Sequence, residues 1–190
     1  FIGGVLTDLF DWRATFVVAG VVFAVVAIVL FRLTRASWPR RVPASGPLLS
    51  PRRYFALMKN SRVRNVMGSV FCETLCFHGA FAFLGALLKL RFDLPFTVIG
   101  LLLAGFGLGG LIYIVVVRWI LTRIGQRGCV TVGGLVGGAL FIAIALTPYW
   151  PVVMVCTIGL GFSLYMVHNT LQTKATEMAP TARATGLALF

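Results

Sequence analysis

Five apolar stretches, residues 14–31, 66–88, 96–117, 130–146 and 152–171, are each about as long as a helix must be to cross a bilayer. The links between them alternate in charge. Residues 32–64 hold Arg32, Arg35, Arg40, Arg41, Arg52, Arg53, Lys59, Arg62 and Arg64, and the link after residue 117 holds Arg118, Arg123 and Arg127 with no acid to offset them. The other links carry only Lys89, Arg91 and Asp93, or the uncharged run Pro148, Tyr149, Trp150 and Pro151. Basic links on alternate sides predict successive crossings with the basic links on the cytoplasmic face. Residues 1–6 resemble the tail of an earlier apolar helix and 186–190 the start of another. The expected fold is therefore all-α: a polytopic transmembrane helix bundle of five full spans and two partial ones, an interior piece of a longer chain.

Composition points the same way. With 59% hydrophobic and 12% charged residues and a mean hydropathy of +0.96, the chain has more apolar surface than a soluble core of this size absorbs. The net charge of +12 would suggest nucleic acid in a soluble protein. Here all the Lys and Arg except Arg13, Lys89 and Arg91 lie in or beside the basic links or after the last span, so topology and anionic lipid account for them without nucleic acid. The four cysteines, Cys72, Cys76, Cys129 and Cys156, lie in or at the edge of apolar spans and offer neither a disulfide framework nor metal-ligand spacing. No nucleophile stands beside an oriented base, so an enzyme is not expected, and no cofactor or metal is implied.

Three units follow. Residues 1–33 form the end of one bundle, 34–65 a basic cytoplasmic link, and 66–190 a second bundle. In the link, Pro39, Pro43, Pro47 and Pro51 enforce extended or turn geometry. Ser50 followed by Pro51 is a helix-start signature, and the apolar Tyr54, Phe55, Leu57 and Met58 set against Arg52, Arg53 and Lys59 suit a short amphipathic helix at the headgroups.

Glycines mark expected helix contacts. Gly105 with Gly109, Gly133 with Gly137, and Gly134 with Gly138 are each spaced four apart, which lets backbones approach closely in lipid. The run from Gly105 to Gly110 also matches a dinucleotide-binding pattern. It lies inside a bilayer-length apolar helix and not between a strand and a helix, so packing is the reading kept.

Glu73 is the residue that hydrophobicity does not explain. An ionised carboxylate facing lipid at that depth would cost several kcal/mol, so it must face a bundle interior or a water-filled cavity, or carry a proton. A group whose charge depends so strongly on its surroundings is what a proton-coupled carrier requires. Phe77 shares its helix face, whereas His78 points away. On the last span His168, Asn169, Thr170 and Gln172 cluster near one end.

Gly3, Gly4, Leu6, Asp8, Phe10, Trp12, Arg13 and Phe16 resemble the end of the fifth helix and the following outer turn of drug:proton antiporters in the major facilitator superfamily. Arg123, Gly125 and Arg127 are similar to the core of that superfamily's loop signature, with Thr122 where the signature has Asp and Arg118 where it has Gly. Gly159 to Phe162, His168 to Gln172, Ala175, Thr176, Pro180, Arg183 and Phe190 look like bacterial permeases of the arabinose-efflux or multidrug-efflux type.

The resemblance implies that the five spans are helices six to ten of a twelve-helix carrier, with the first six-helix half continuing upstream. It puts Glu73, Phe77, His168 and Asn169 on cavity-lining helices. The implied function is proton-coupled efflux of a small organic substrate across the cell membrane by alternating access, with Glu73 exchanging the proton and Phe77 and Phe81 contacting substrate. An uptake symporter shares these features, and a non-transporting receptor or scaffold subunit shares the topology.

Overall fold

The computed structural model describes residues 1–35 and 59–178, and every regular element among them is an α-helix. In chain order these are α1 (Ile2–Leu9), α2 (Trp12–Thr34), α3 (Ser61–Phe92), α4 (Phe96–Leu146) and α5 (Trp150–Met178). Four of them, α2 to α5, are long and apolar enough to cross a membrane. The proposed amphipathic segment of the basic link and the partial helix at 186–190 lie outside the described residues.

A straight 51-residue helix such as α4 would run to ~77 Å, more than twice a hydrocarbon core. It does not run straight. Gly125 has φ 65° and ψ 178°, a backbone region open essentially to glycine alone. The contacts made by α5 establish the direction of the two arms on either side. Leu102, Gly105, Gly109 and Gly110 meet Thr157, Ile158, Phe162 and Tyr165, so the first arm runs with α5. Gly133, Gly137 and Leu140 meet Val167, Ser163 and Gly159, so the second arm runs against it. The chain therefore folds back at Gly125, and α5 packs along both arms.

Backbone proximity holds this unit together. Side chains built at Gly109 or Gly161 would overlap the carbonyls of Ile158 and Phe106 respectively, and one at Gly105 would come within 2.9 Å of Thr157 Oγ1. In lipid there is little hydrophobic drive between helices, so this close fit and interhelical hydrogen bonds supply the cohesion. Ser163 donates to the Gly133 carbonyl at 2.5 Å, and the buried Thr157 hydroxyl lies 2.8 Å from the Leu102 carbonyl. Around these contacts Leu88, Leu102, Val153 and Leu160 form the fully buried core.

The helix ends explain where the crossings stop. Asp93 takes a left-handed conformation after α3 and pairs with Lys89 at 2.9 Å. Arg91 donates to the Ala145 carbonyl at 2.8 Å, a cation at the end of α4 where the helix dipole is negative. Asp8, at the end of α1, accepts from the amides of Phe96 and Thr97 at 3.0 and 2.6 Å and so caps the start of α4. α1 presses on that same turn, because a side chain at Gly4 would overlap the Phe96 carbonyl. α2 folds back on α1 through Thr15, whose hydroxyl reaches the Gly3 carbonyl at 3.1 Å, and exposes the rest of its apolar surface.

Two boundaries differ from the sequence expectation. α3 begins at Ser61, so residues 61–65, assigned to the link, are already helical. Asn60 caps that start by accepting from the Arg62 amide at 3.0 Å, and hydropathy overlooks it because Arg62, Arg64 and Asn65 are solvent-facing. The first arm of α4 likewise continues past residue 117 through Arg118 and Arg123 to the break at Gly125.

Candidate functional site

α3 lies antiparallel to α5, which brings Glu73 opposite His168. Nδ1 of His168 is 3.4 Å from both carboxylate oxygens of Glu73, and the angles make the hydrogen bond one to Oε2. One ring nitrogen carries at most one proton. No donor among the described residues satisfies Oε1, which is itself buried. The Glu73 side chain is only 10% exposed against 38% for His168, so the carboxylate is the enclosed partner. A rise of 1.5 Å per residue puts Glu73 ~18 Å in from Ser61 along a helix of ~48 Å, a little over a third of the way from the Gly125 end.

Glu73 forms part of the wall of a cavity of about 260 Å³ between α3, the second arm of α4 and α5. Its other walls are apolar. Phe77 and Phe141 line it on one side and Val167 and Leu171 on another, while the second arm presents Gly133, Gly134, Gly137 and Gly138. Two further hydroxyls at the cavity are committed to backbone: Ser69 donates to the Asn65 carbonyl and Ser163 to that of Gly133. An unmatched carboxylate oxygen in an apolar chamber can take a proton or a donor group of a ligand.

The sequence-predicted residues divide accordingly. Glu73 and Phe77 line the cavity, and Phe81, one turn on, stacks on Phe77 with ring centres 5.5 Å apart. Both rings continue onto Phe106 at 5.3 and 5.0 Å, joining α3 to the first arm of α4. His168 reaches Glu73 from the side. Asn169 is half-buried and is not among the residues lining the cavity. His78 is exposed and touches the edge of Phe77.

Among the six packing glycines, Gly105, Gly109, Gly133 and Gly137 meet α5. Gly134 and Gly138 are different: a side chain built at either meets no atom within 4 Å, and both face the cavity. They clear space there in place of making a helix contact. In the loop, Arg123 lies over the Trp119 ring at 5.6 Å, Gly125 makes the turn, and Arg127 points to a basic cleft beside Lys174.

Sequence reasoning missed the Glu73–His168 pairing and the Asp8 cap. Both join residues far apart in the chain, and only the antiparallel packing of α3 and α5 could have revealed the first. Among the described residues, no three His, Cys, Asp or Glu side chains gather as a metal site.

Long apolar helices packed through glycines, with a carboxylate held inside them, define a multi-pass membrane protein. The family model of the Major Facilitator Superfamily matches residues 1–190, and the chain belongs to that superfamily, a family of secondary transporters. No match to the chain was found among curated proteins or among solved structures.

Proposed function

We propose that this chain is part of a proton-coupled carrier of the cell membrane that exports a small organic molecule by alternating access. The observation that carries the reading is the enclosed Glu73 carboxylate, held by His168 on one oxygen and unmatched on the other, at the wall of an apolar cavity. In this reading Glu73 takes up and releases the proton, and His168 orients the carboxylate and responds to its charge. The substrate passes against Phe77 and Phe81, whose stacked faces suit an amphipathic molecule. Asn169 serves as a polar neighbour on the His168 helix.

The same reading makes the two arms of α4 separate crossings, which gives five full spans with α1 as a partial one. Residues 1–33 then close the first half of the carrier, 34–60 link the halves on the cytoplasmic side, and α3, from Ser61, opens the second half. Support comes from the fold-back at Gly125 and from the gathering of Arg62, Arg127 and Lys174 at that end of the bundle. Rocking of two halves about a midplane site is the motion such a design uses.

The test is proton-driven flux by the full-length protein in proteoliposomes, with the gradient imposed in each direction. Glu73→Gln should abolish gradient-driven movement while leaving counterflow exchange of substrate. Undiminished gradient-driven flux in that variant would remove Glu73 from coupling, and accumulation with the gradient reversed would identify an uptake symporter.

A further inference from the structure

At the Gly125 end of the bundle three helix ends surround an open cleft of about 870 Å³. Arg62 comes from the first turn of α3, Arg127 from the start of the second arm of α4, and Lys174 from the last turns of α5. Asn60 and Asn65 add side-chain amides. The one carboxylate present, Glu177, is already engaged. It accepts from Lys174 at 2.9 Å and from Gln126 at 3.4 Å, and these hydrogen bonds hold its ion pair to one edge. Arg62 and Arg127 have no carboxylate partner among the described residues.

Charge alone would draw any anion, but the donor geometry narrows the choice. Two guanidinium forks on different helices, supplemented by an ammonium and carboxamides, suit a group offering several oxygens in a tetrahedron. The open volume exceeds what a bare halide fills. Position narrows it further. Val66 lines the cleft and also opens the apolar run of α3, so the cleft sits where hydrocarbon gives way to headgroups.

We propose that this cleft is a phosphate-binding site formed by Arg62, Arg127 and Lys174, which takes the phosphate of an anionic lipid headgroup or of a soluble phosphate compound. It is separate from the Glu73 cavity and independent of the coupling role assigned there. An occupant would tie the start of α3 to the fold-back of α4 and the end of α5, of which, among the described residues, only the last two are already joined, by the hydrogen bond from Gln126 to Glu177.

The experiment uses the full-length protein in neutral detergent, with lipid adducts counted by native mass spectrometry. Phosphatidylglycerol and phosphatidylcholine form one arm, and inorganic phosphate as competitor forms the other. Retention of phosphatidylglycerol over phosphatidylcholine is expected, and Arg62→Gln with Arg127→Gln should weaken it about 30-fold, the loss expected for two basic residues at an anionic headgroup. Arg32→Gln with Arg35→Gln removes the same charge from the end of α2, outside the cleft, and should leave retention within about threefold. Competition by millimolar phosphate without lipid preference would assign the site to a soluble phosphate. Equal losses in the two double variants, or no phosphate or lipid dependence in a protein that remains monodisperse, would overturn the proposal.

Discussion

Glu73 on α3 and His168 on α5 stand 95 positions apart in the chain and 3.4 Å apart in the fold. The contact crosses two helices that touch mainly through apolar side chains, Val70 against Val167 and Leu171. A polar pair in such surroundings costs folding energy unless it is satisfied, so its presence points to use.

His168 Nδ1 shares a hydrogen bond with Glu73 Oε2, and its removal should separate orientation from chemistry. His168→Ala is expected to slow proton-driven flux by about tenfold to a hundredfold, the range expected when a general acid–base partner is lost. His168→Gln, which keeps a donor, should recover part of that loss and shift the pH profile of transport. A pH profile unchanged in both variants would reduce His168 to a packing residue.

The glycines of α4 give a paired stability test. A side chain at Gly109 overlaps the Ile158 carbonyl, so Gly109→Ala must push α5 away and is expected to cost about 1–3 kcal/mol in unfolding of the full-length protein. Gly134→Ala meets open space and should leave the unfolding midpoint unchanged or raised, since alanine favours helix. The same change narrows the cavity beside Glu73, so it should alter the KM for transported substrate. Equal thermal losses at the two positions would contradict the packing described.

Much of this architecture was legible in the residues because lipid imposes simple rules. Apolar runs of bilayer length and alternating basic links were sufficient to predict an all-helical membrane bundle, and the spacing of Gly105 and Gly109 marked a true helix contact. What was not legible depended on partners distant in sequence. Gly134 and Gly138 share the same spacing but face a cavity, because helical periodicity fixes which residues share a face and not what that face meets. Asp8 reads as an acid in a short outer link, and only the placement of α1 against α4 makes it a helix cap. His168 reads as a polar residue near a helix end, and its reach to Glu73 needed the register between α3 and α5.

Gly125 provides a test free of packing. Its φ of 65° and ψ of 178° belong to glycine, yet a side chain there would meet nothing within 4 Å. Gly125→Ala should therefore destabilise the protein by about 1–3 kcal/mol through backbone strain alone. A second substitution, Gly125→Asn, should give no rescue, because asparagine tolerates the left-handed helical region but not this extended one. Wild-type stability in the alanine variant would mean that the turn between the arms is made elsewhere.

The Asp8 cap makes a prediction in pH. Hydrogen bonding from Thr97, side chain first and then amide, and from the Phe96 amide holds the Asp8 carboxyl below its ordinary value of 3.8. A carboxyl depressed in the folded state contributes stability that is fully present above its unfolded value and is lost as pH falls through the lower folded one. Between neutral pH and about 4 the cap should be intact. Below that, the start of α4 should loosen, read as faster amide exchange at Phe96 and Thr97 in the full-length protein. Asp8→Asn keeps an acceptor oxygen but loses the charge, so it should show faster exchange at neutral pH and no further acid step at these two amides. An acid step of the same size in wild type and variant would assign the loosening to another group.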